Sequence, residues 1–249
     1  MKPEAYQLNF EYEESHWWFL ARREIILSRI QSLIDDGVAP PQPLRILDFG
    51  CGTGGLTQAL GQFGPVESVD FSDEALDYCR KRGLEDVRRI RSASDLDSES
   101  YDLIATFDVL EHIEDDASVL GELRRALKPG GLLIATVPAL RILWGGEDEV
   151  SLHVRRYTRR ELTQKAQQAG FEIVQATYFN TLLFPLIFGV RVLNRLFRPG
   201  TLAQSDVKPV SPLLNALLFR IFVAERLLLR QVSLPIGASV LLIARRNCE

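Results

Sequence analysis

The chain has 249 residues, 46% of them apolar and 25% charged, which is enough for one globular fold around a buried sheet. No apolar run at the start is long enough for a signal peptide, and three scattered cysteines favour a reducing, cytoplasmic location over a disulfide framework. The net charge is −4 and residues 1–179 carry the excess of acids, so we expect no nucleic-acid partner.

An aromatic segment, His16-Trp-Trp-Phe19, stands directly ahead of a predicted helix that runs to about Ile34. The two tryptophans suit either of two roles, because aromatic faces can cover a bound cation and can equally anchor a surface helix in the core. We predict that residues 1–40 form a helical cap on a larger domain that spans residues 41–249.

A short apolar strand from Leu44 to Phe49 runs straight into the glycine-rich turn Gly50-Cys-Gly-Thr-Gly54. A strand, a glycine turn and a helix N-terminus form a nucleotide-sized crevice at the carboxyl end of a parallel sheet. The spacing Gly50-x-Gly52-x-x-Gly55 also fits the dinucleotide fingerprint, which keeps an NAD-dependent oxidoreductase as an alternative. Asp48 argues against it, since its carboxylate would repel a pyrophosphate and suits a cationic amine.

The next two predicted strands each end near an acidic residue. Strand two covers residues 65–70 and ends at Asp70, 20 residues after Gly50, which is the distance at which an acid reaches a ribose diol. Ser72 is the predicted N-cap of the following helix. Strand three covers residues 87–91, and Asp95 lies shortly after it.

The turn around Asp48 resembles motif I of the class I S-adenosylmethionine-dependent methyltransferases. The resemblance implies that Asp48 holds the methionine amine, the glycine turn gives the backbone its close approach, Asp70 holds the ribose and Asp95 the adenine. Leu96 is expected to flank the adenine ring. The predicted cofactor-binding residues are Asp48, Gly50, Cys51, Gly52, Gly54, Asp70, Phe71, Asp95, Leu96, Phe107 and Asp108.

Strand four covers residues 101–107 and runs into Asp108-Val-Leu-Glu-His-Ile113, which is similar to the family's segment beside the methyl donor. The following helix is predicted to close at the glycines of Leu127-Lys-Pro-Gly-Gly131, with strand five over residues 132–138. This Leu-Lys-Pro-Gly-Gly turn is itself a frequent mark of the family.

Beyond strand five, Thr158 and Glu161 form a predicted capping box that opens a helix reaching Ala169. Strand six covers residues 171–178 and strand seven residues 238–245. The alternation of strands and helices predicts an α/β class. The resemblance implies a doubly wound, Rossmann-like sheet of seven mostly parallel strands, with the last strand antiparallel between strands five and six.

The reaction implied is an in-line methyl transfer to a small or lipid-linked acceptor, with removal of a proton when the acceptor is neutral. The candidates for that step are His112, His153 and Tyr157. No two histidines show the spacing of metal ligands, so the sequence predicts no metal site, although Glu111 adjoins His112.

An apolar insert over residues 180–235 precedes the last strand, and from residue 180 onward nine basic residues face three acidic ones. Its charges interrupt both apolar stretches, so neither is expected to cross a bilayer. The insert is a lid on the sheet, a contact in a homodimer, or a basic amphipathic surface that meets a membrane through residues 180–230. The last of these keeps open a non-catalytic, cofactor-binding scaffold that acts as a membrane or partner module. The N-terminal leader, Glu13 to Glu24, contains the His16-Trp-Trp-Phe19 segment followed by Arg22 and Arg23. It resembles the leader of a loosely defined group of bacterial methyltransferases.

Overall fold

The computed structural model describes Met1, residues 3–197 and residues 207–248. Seven strands form one sheet in the order β3-β2-β1-β4-β5-β7-β6. The first five strands are parallel, and β7 runs antiparallel to both β5 and β6, which confirms the predicted fold class. The strands are β1 (Ile46–Phe49), β2 (Val66–Asp70), β3 (Val87–Arg89), β4 (Tyr101–Phe107), β5 (Leu127–Pro138), β6 (Phe171–Phe179) and β7 (Ser239–Arg246).

Both predicted N-caps are present. The Ser72 hydroxyl accepts from the backbone N–H of Ala75, and Thr158 exchanges hydrogen bonds with Glu161. The helices are α1 (Pro3–Tyr12), α2 (Trp17–Asp35), α3 (Gly55–Leu60), α4 (Asp73–Lys81), α5 (Asp116–Ala126), α6 (Gly146–Ser151), α7 (Arg159–Gln168), α8 (Phe184–Phe197), α9 (Pro212–Val223) and α10 (Glu225–Leu229).

The prediction that glycines close the helix before strand five is wrong. Helix α5 ends at Ala126, and Leu127 already pairs with Tyr101 of β4. The register then shifts, because the next pair joins Leu103 to Leu132. Pro129 cannot donate to a helix or a ladder, and Gly130 has a φ of +79°. The Lys-Pro-Gly-Gly segment is therefore an irregularity at the start of β5.

Helices cover both faces of the sheet, as a parallel sheet requires. Strand residues alternate between two apolar clusters, so that Leu103 lies on one face and Ile104 on the other. Helices α5 and α7 pack on the first cluster through Leu123 and Leu162. Helix α2 packs on the second through residues that include Ile26.

The leader is hydrogen-bonded to the insert on the face of the sheet that carries the second apolar cluster. The Asn215 side chain on α9 accepts from the backbone N–H of Trp17 at 2.8 Å and donates to the Ser15 carbonyl at 2.9 Å. The Trp17 ring meets Phe222 edge-on, with centroids 6.0 Å apart. Residues 198–206, the polar part of the insert, lie outside the described residues. Within the described part of the chain, no helix is long and apolar enough to cross a membrane.

Replacing Asn215 by alanine removes both hydrogen bonds of this fastening. We expect Asn215→Ala to lower the free energy of unfolding by about 1–2 kcal/mol, measured by urea denaturation. Asn194→Ala, at an exposed position of α8, is the matched control and should change it by less than about 0.5 kcal/mol. Equal effects of the two substitutions would contradict the fastening.

Candidate active site

The carboxyl ends of β1 and β4 meet at one edge of the sheet, where the chain of β1 turns at Gly50. This glycine has a φ of +78°, and a Cβ on it would clash with the side chain of Val109. A residue with a side chain would therefore be strained and crowded at this point. The absence of a side chain lets the turn after β1 touch the segment after β4.

Asp48 lies buried beneath this turn, at the end of β1. Its carboxylate accepts from the Thr57 hydroxyl at 2.5 Å. Burial raises the pKa of Asp48 to about 6, Asp70 and Glu13 add to the rise, and Thr57 and Arg22 oppose it. Desolvation disfavours the ionised form of the Asp48 carboxyl. A cationic ligand beside it would favour ionisation and would in turn be stabilised by the negative charge.

Asp70 joins the end of β2 to the glycine turn. One carboxylate oxygen accepts from the Gly52 N–H at 3.0 Å and the other from the Ser72 N–H at 2.9 Å. Burial raises the pKa of Asp70, and these backbone donors act against that rise. A Cβ on Gly52 would meet nothing within 4 Å, so the space in front of the turn is open. The Cys51 sulfur points away from it, towards Cys79 at 3.7 Å.

The residues predicted to contact the adenine differ in their exposure to solvent. Phe71 is 38% exposed and lies edge-on to Phe49. Asp95 is exposed and accepts from the Arg91 N–H at 2.9 Å, which lowers the pKa of its carboxyl. Leu96, in contrast, packs into the core. The family resemblance implied that Leu96 flanks the adenine ring, and here its side chain is buried.

The leader reaches over the glycine turn through Glu13, a contact that the sequence did not indicate. Glu13 accepts from the Thr53 hydroxyl at 2.6 Å and pairs with Arg82 at 2.7 Å. Its carboxylate occupies the space where Gly55 lacks a side chain. No local pattern could have revealed the contact, since Glu13 and Thr53 are 40 residues apart.

Arg22 was also missed as a site residue. Its guanidinium pairs with Asp108 at 2.6 Å and donates to the Thr136 hydroxyl at 2.8 Å. It also lies over the rings of Trp18 and Phe107, at 5.0 and 5.6 Å from their centroids. Trp17 and Trp18 themselves pack against the core, which supports the anchoring role of the two alternatives.

Glu111, His112 and His153 lie together although 41 residues separate the two histidines. One potential ligand atom from each lies within 4.8 Å of the other two. Glu111 is completely buried, neither of its oxygens has a hydrogen-bond partner, and burial raises its pKa well above the usual value. Burial and His153 lower the pKa of His112 to about 3. Spacing along the sequence did not indicate that these three side chains lie together.

Tyr157, a predicted candidate for proton removal, makes its hydrogen bonds inside the protein. The side chain is buried in the core, and its hydroxyl contacts the Asp116 carboxylate at 2.6 Å and the Leu110 carbonyl at 3.1 Å. Burial and the hydrogen bond to Asp116 raise the pKa of Tyr157. The hydrogen bond to Leu110 connects this phenol to the segment after β4.

A family profile described as a methyltransferase domain matches residues 20–176. The chain belongs to this family. It is 34% identical to a ubiquinone biosynthesis O-methyltransferase of Hahella chejuensis over 51% of this chain and 59% of that protein. It is 26% identical to the protein of that name from Hydrogenovibrio crunogenus, over 76% of this chain and 87% of the relative.

A solved S-adenosylmethionine-dependent methyltransferase of Mesorhizobium loti shares the fold, with a TM-score of 0.53 and 19% identity over 88% of this chain and 98% of that one. The chain is thus a member of a methyltransferase family and has the fold of a class I S-adenosylmethionine-dependent methyltransferase. Membership of a methyltransferase family favours methyl transfer over a dinucleotide-dependent oxidoreductase. The alignment with the Hahella protein spans less than two thirds of that relative, so its acceptor is not transferred with the family.

The pKa of Asp48 makes the stability of the methyltransferase depend on pH. Burial raises this pKa from 3.8 to about 6, so the folded state favours the neutral carboxyl. The stability that this group contributes is fully present below pH 4 and is lost as the pH rises through 6. Asp48→Asn removes the free-energy cost of ionising a buried carboxyl. We expect its free energy of unfolding, relative to the parent, to rise by up to roughly 3 kcal/mol between pH 4 and pH 8.

Urea denaturation at several pH values measures this difference. Asp97→Asn, at an exposed position, is the control and should show a difference that stays nearly constant with pH. A constant difference for Asp48→Asn as well would show that the carboxyl is already ionised at low pH.

Proposed function

We propose that this methyltransferase transfers a methyl group to an oxygen of a small or lipid-linked acceptor. The observation that carries the proposal is the pair of buried carboxylates, Asp48 and Asp70, beside the open space in front of Gly52. The names of the relatives, ubiquinone biosynthesis O-methyltransferases, support an oxygen acceptor.

The cofactor pose follows from the side chains at the edge. The methionine ammonium lies on Asp48 and the chain of the ligand follows Gly50, Gly52 and Gly54. Asp70 accepts from the ribose hydroxyls, because a carboxylate that already holds two backbone donors still has lone pairs to offer. Phe71 covers the adenine and Asp95 accepts from its amino group. Phe107 and Asp108 form the floor, held by Arg22.

The transfer is an in-line displacement. A lone pair of the acceptor oxygen forms the new O–CH3 bond while the S–CH3 bond breaks, and that electron pair stays on sulfur. The acceptor proton passes to Nε2 of His153, whose Nδ1 lies 2.8 Å from the Asp148 carboxylate. His112 is poorly matched as a base, because a group with a pKa of about 3 has little affinity for a proton at neutral pH.

The insert gives this enzyme a surface suited to a lipid-linked acceptor. Large apolar side chains of α8, α9 and α10 face outward, and Leu213 is 87% exposed. Arg220, Arg226 and Arg230 are exposed on the same part of the chain. Apolar side chains flanked by arginines match an anionic bilayer surface. We therefore propose that the cap, residues 1–40, and the domain, residues 41–249, act at the cytoplasmic face of a membrane.

Titration with S-adenosylhomocysteine tests the cofactor site. We expect the parent to bind with micromolar affinity and Asp70→Ala to bind about 10- to 100-fold more weakly, since hydrogen bonds to a charged group are lost. Asp77→Ala removes an exposed carboxylate of α4 and should bind like the parent. Binding of NAD in place of S-adenosylhomocysteine would overturn the pose.

Co-sedimentation with anionic vesicles at low salt tests the membrane surface. We expect the parent to sediment with the vesicles, and Arg220→Gln/Arg230→Gln to remain in the supernatant, because fewer charges face the lipid. The control, Arg80→Gln/Arg89→Gln, removes two exposed arginines near the opposite edge of the sheet and should sediment like the parent.

Failure of the parent to sediment would overturn the membrane role. If the parent instead elutes as a dimer that Leu213→Ser/Leu217→Ser converts to a monomer, the apolar face is a subunit contact.

A further inference from the structure

Two cysteines lie side by side against the glycine-rich turn after β1. Cys51 belongs to the turn and Cys79 to α4, and their sulfur atoms are 3.7 Å apart although the residues are 28 positions apart along the chain. Both thiols are free and buried. We propose that this pair is an oxidation site, at which a peroxide joins Cys51 to Cys79 in a disulfide and thereby weakens the binding of S-adenosylmethionine.

The two sulfur atoms are close enough for the bond to form with a small movement. An S–S bond is about 2.05 Å long, so the atoms must approach by roughly 1.6 Å. Both side chains share one small apolar cluster with Leu76 and Leu84, which keeps them together. The third cysteine, Cys248, is exposed beyond the end of β7. Cys79 is therefore the thiol placed to react with an oxidised Cys51.

The oxidation takes two steps. The sulfur of Cys51 takes an oxygen from the peroxide as the O–O bond breaks, which gives a sulfenic acid and, from hydrogen peroxide, one water. The sulfur of Cys79 then attacks the sulfenic sulfur, and the hydroxyl leaves with the Cys79 proton as a second water. The two thiols lose two electrons in total, and these reduce the peroxide. Cys51 reacts first because it is 9% exposed, whereas Cys79 is fully buried.

The environment of the pair makes this reaction slow. The hydrogen bond to Cys79 and burial raise the pKa of the Cys51 thiol. Because the thiolate is the nucleophile, a raised pKa lowers the fraction that can attack the peroxide. The Cys51 sulfur also points towards Cys79, away from the open space in front of Gly52. A cofactor that holds the turn in place should therefore slow the oxidation further.

The disulfide changes the turn that would line the cofactor. In the reduced protein the Cys79 thiol donates to the Gly52 carbonyl at 3.3 Å, and the Gly52 N–H donates to Asp70 at 3.0 Å. Gly54 also lies against Cys79, since a Cβ on it would come 3.0 Å from that sulfur. Oxidation removes the S–H donor and draws the turn and α4 together. This effect on binding rests on the proposed cofactor pose, whereas formation of the disulfide does not.

Peroxide treatment of protein that carries Cys248→Ser tests the inference, because Cys51 and Cys79 are then the remaining cysteines. Free thiols are counted after unfolding, linked peptides are identified by mass spectrometry, and the affinity for S-adenosylhomocysteine is measured by calorimetry. We expect both thiols to disappear, the two peptides to be linked, and binding to weaken at least about tenfold. Dithiothreitol should reverse all three changes, and S-adenosylhomocysteine present during the treatment should slow them.

Cys79→Ser in the same background is the matched variant. Its hydroxyl can still donate to the Gly52 carbonyl, but it cannot form the disulfide. Binding of S-adenosylhomocysteine in reducing buffer reports that this variant is folded. The comparison is then between its reduced and peroxide-treated forms, whose affinities should agree within about twofold.

A parent whose two thiols survive the treatment, or are oxidised without becoming linked, would overturn the proposed site. An equal loss of affinity in Cys79→Ser would also overturn it, because the loss would come from oxidation of Cys51 alone. A linked protein with unchanged affinity would overturn the effect on binding. A reduced parent that does not bind S-adenosylhomocysteine would contradict the proposed cofactor site, and the peptide map would still decide whether the disulfide forms.

Discussion

The contact between Gly50 and Val109 is the constraint on which the rest of the site depends. It joins the turn after β1 to the segment after β4, and only a residue without a side chain permits it. On one side of the contact lie Asp48 and Asp70, and on the other lies the segment that carries Glu111 and His112. Two sets of chemical groups from separate βα units thereby share one edge of the sheet.

Acidic side chains around this edge are compensated in different ways, and the differences suggest where cationic ligands would be stabilised. Some are satisfied within the protein: Asp108 has Arg22, and Asp148 has Arg156. Asp48 has one hydroxyl and Glu111 has no partner. Because an unpaired buried charge is costly, the carboxylates with the fewest internal partners are those whose free energy falls most when a cation arrives. A ligand that carries a cationic ammonium supplies such a cation.

The sequence predicted what depends on neighbouring residues. The caps at Ser72 and Thr158 are confirmed because a capping side chain bonds to N–H groups within three residues. The family resemblance supplied the antiparallel last strand and its place between strands five and six. The burial of Leu96 and Tyr157 was not predicted, because residue type does not tell whether a side chain points into the core or a cleft. The cluster around Glu111, and Glu13 over the glycine turn, come from tertiary packing of distant segments, which leaves no local pattern to detect.

The place of β7 in the sheet has a consequence for biosynthesis. It is the last strand in chain order, yet it lies between β5 and β6, and within the described part of the chain it is the only strand that forms a ladder with β6. Strands β1 to β5 can pair while the ribosome is still translating, whereas β6 must wait until residues 239–246 have emerged from the exit tunnel. During that interval the apolar helices between β6 and β7 lack part of the sheet on which they pack, and transiently exposed apolar surface makes a nascent chain prone to aggregation.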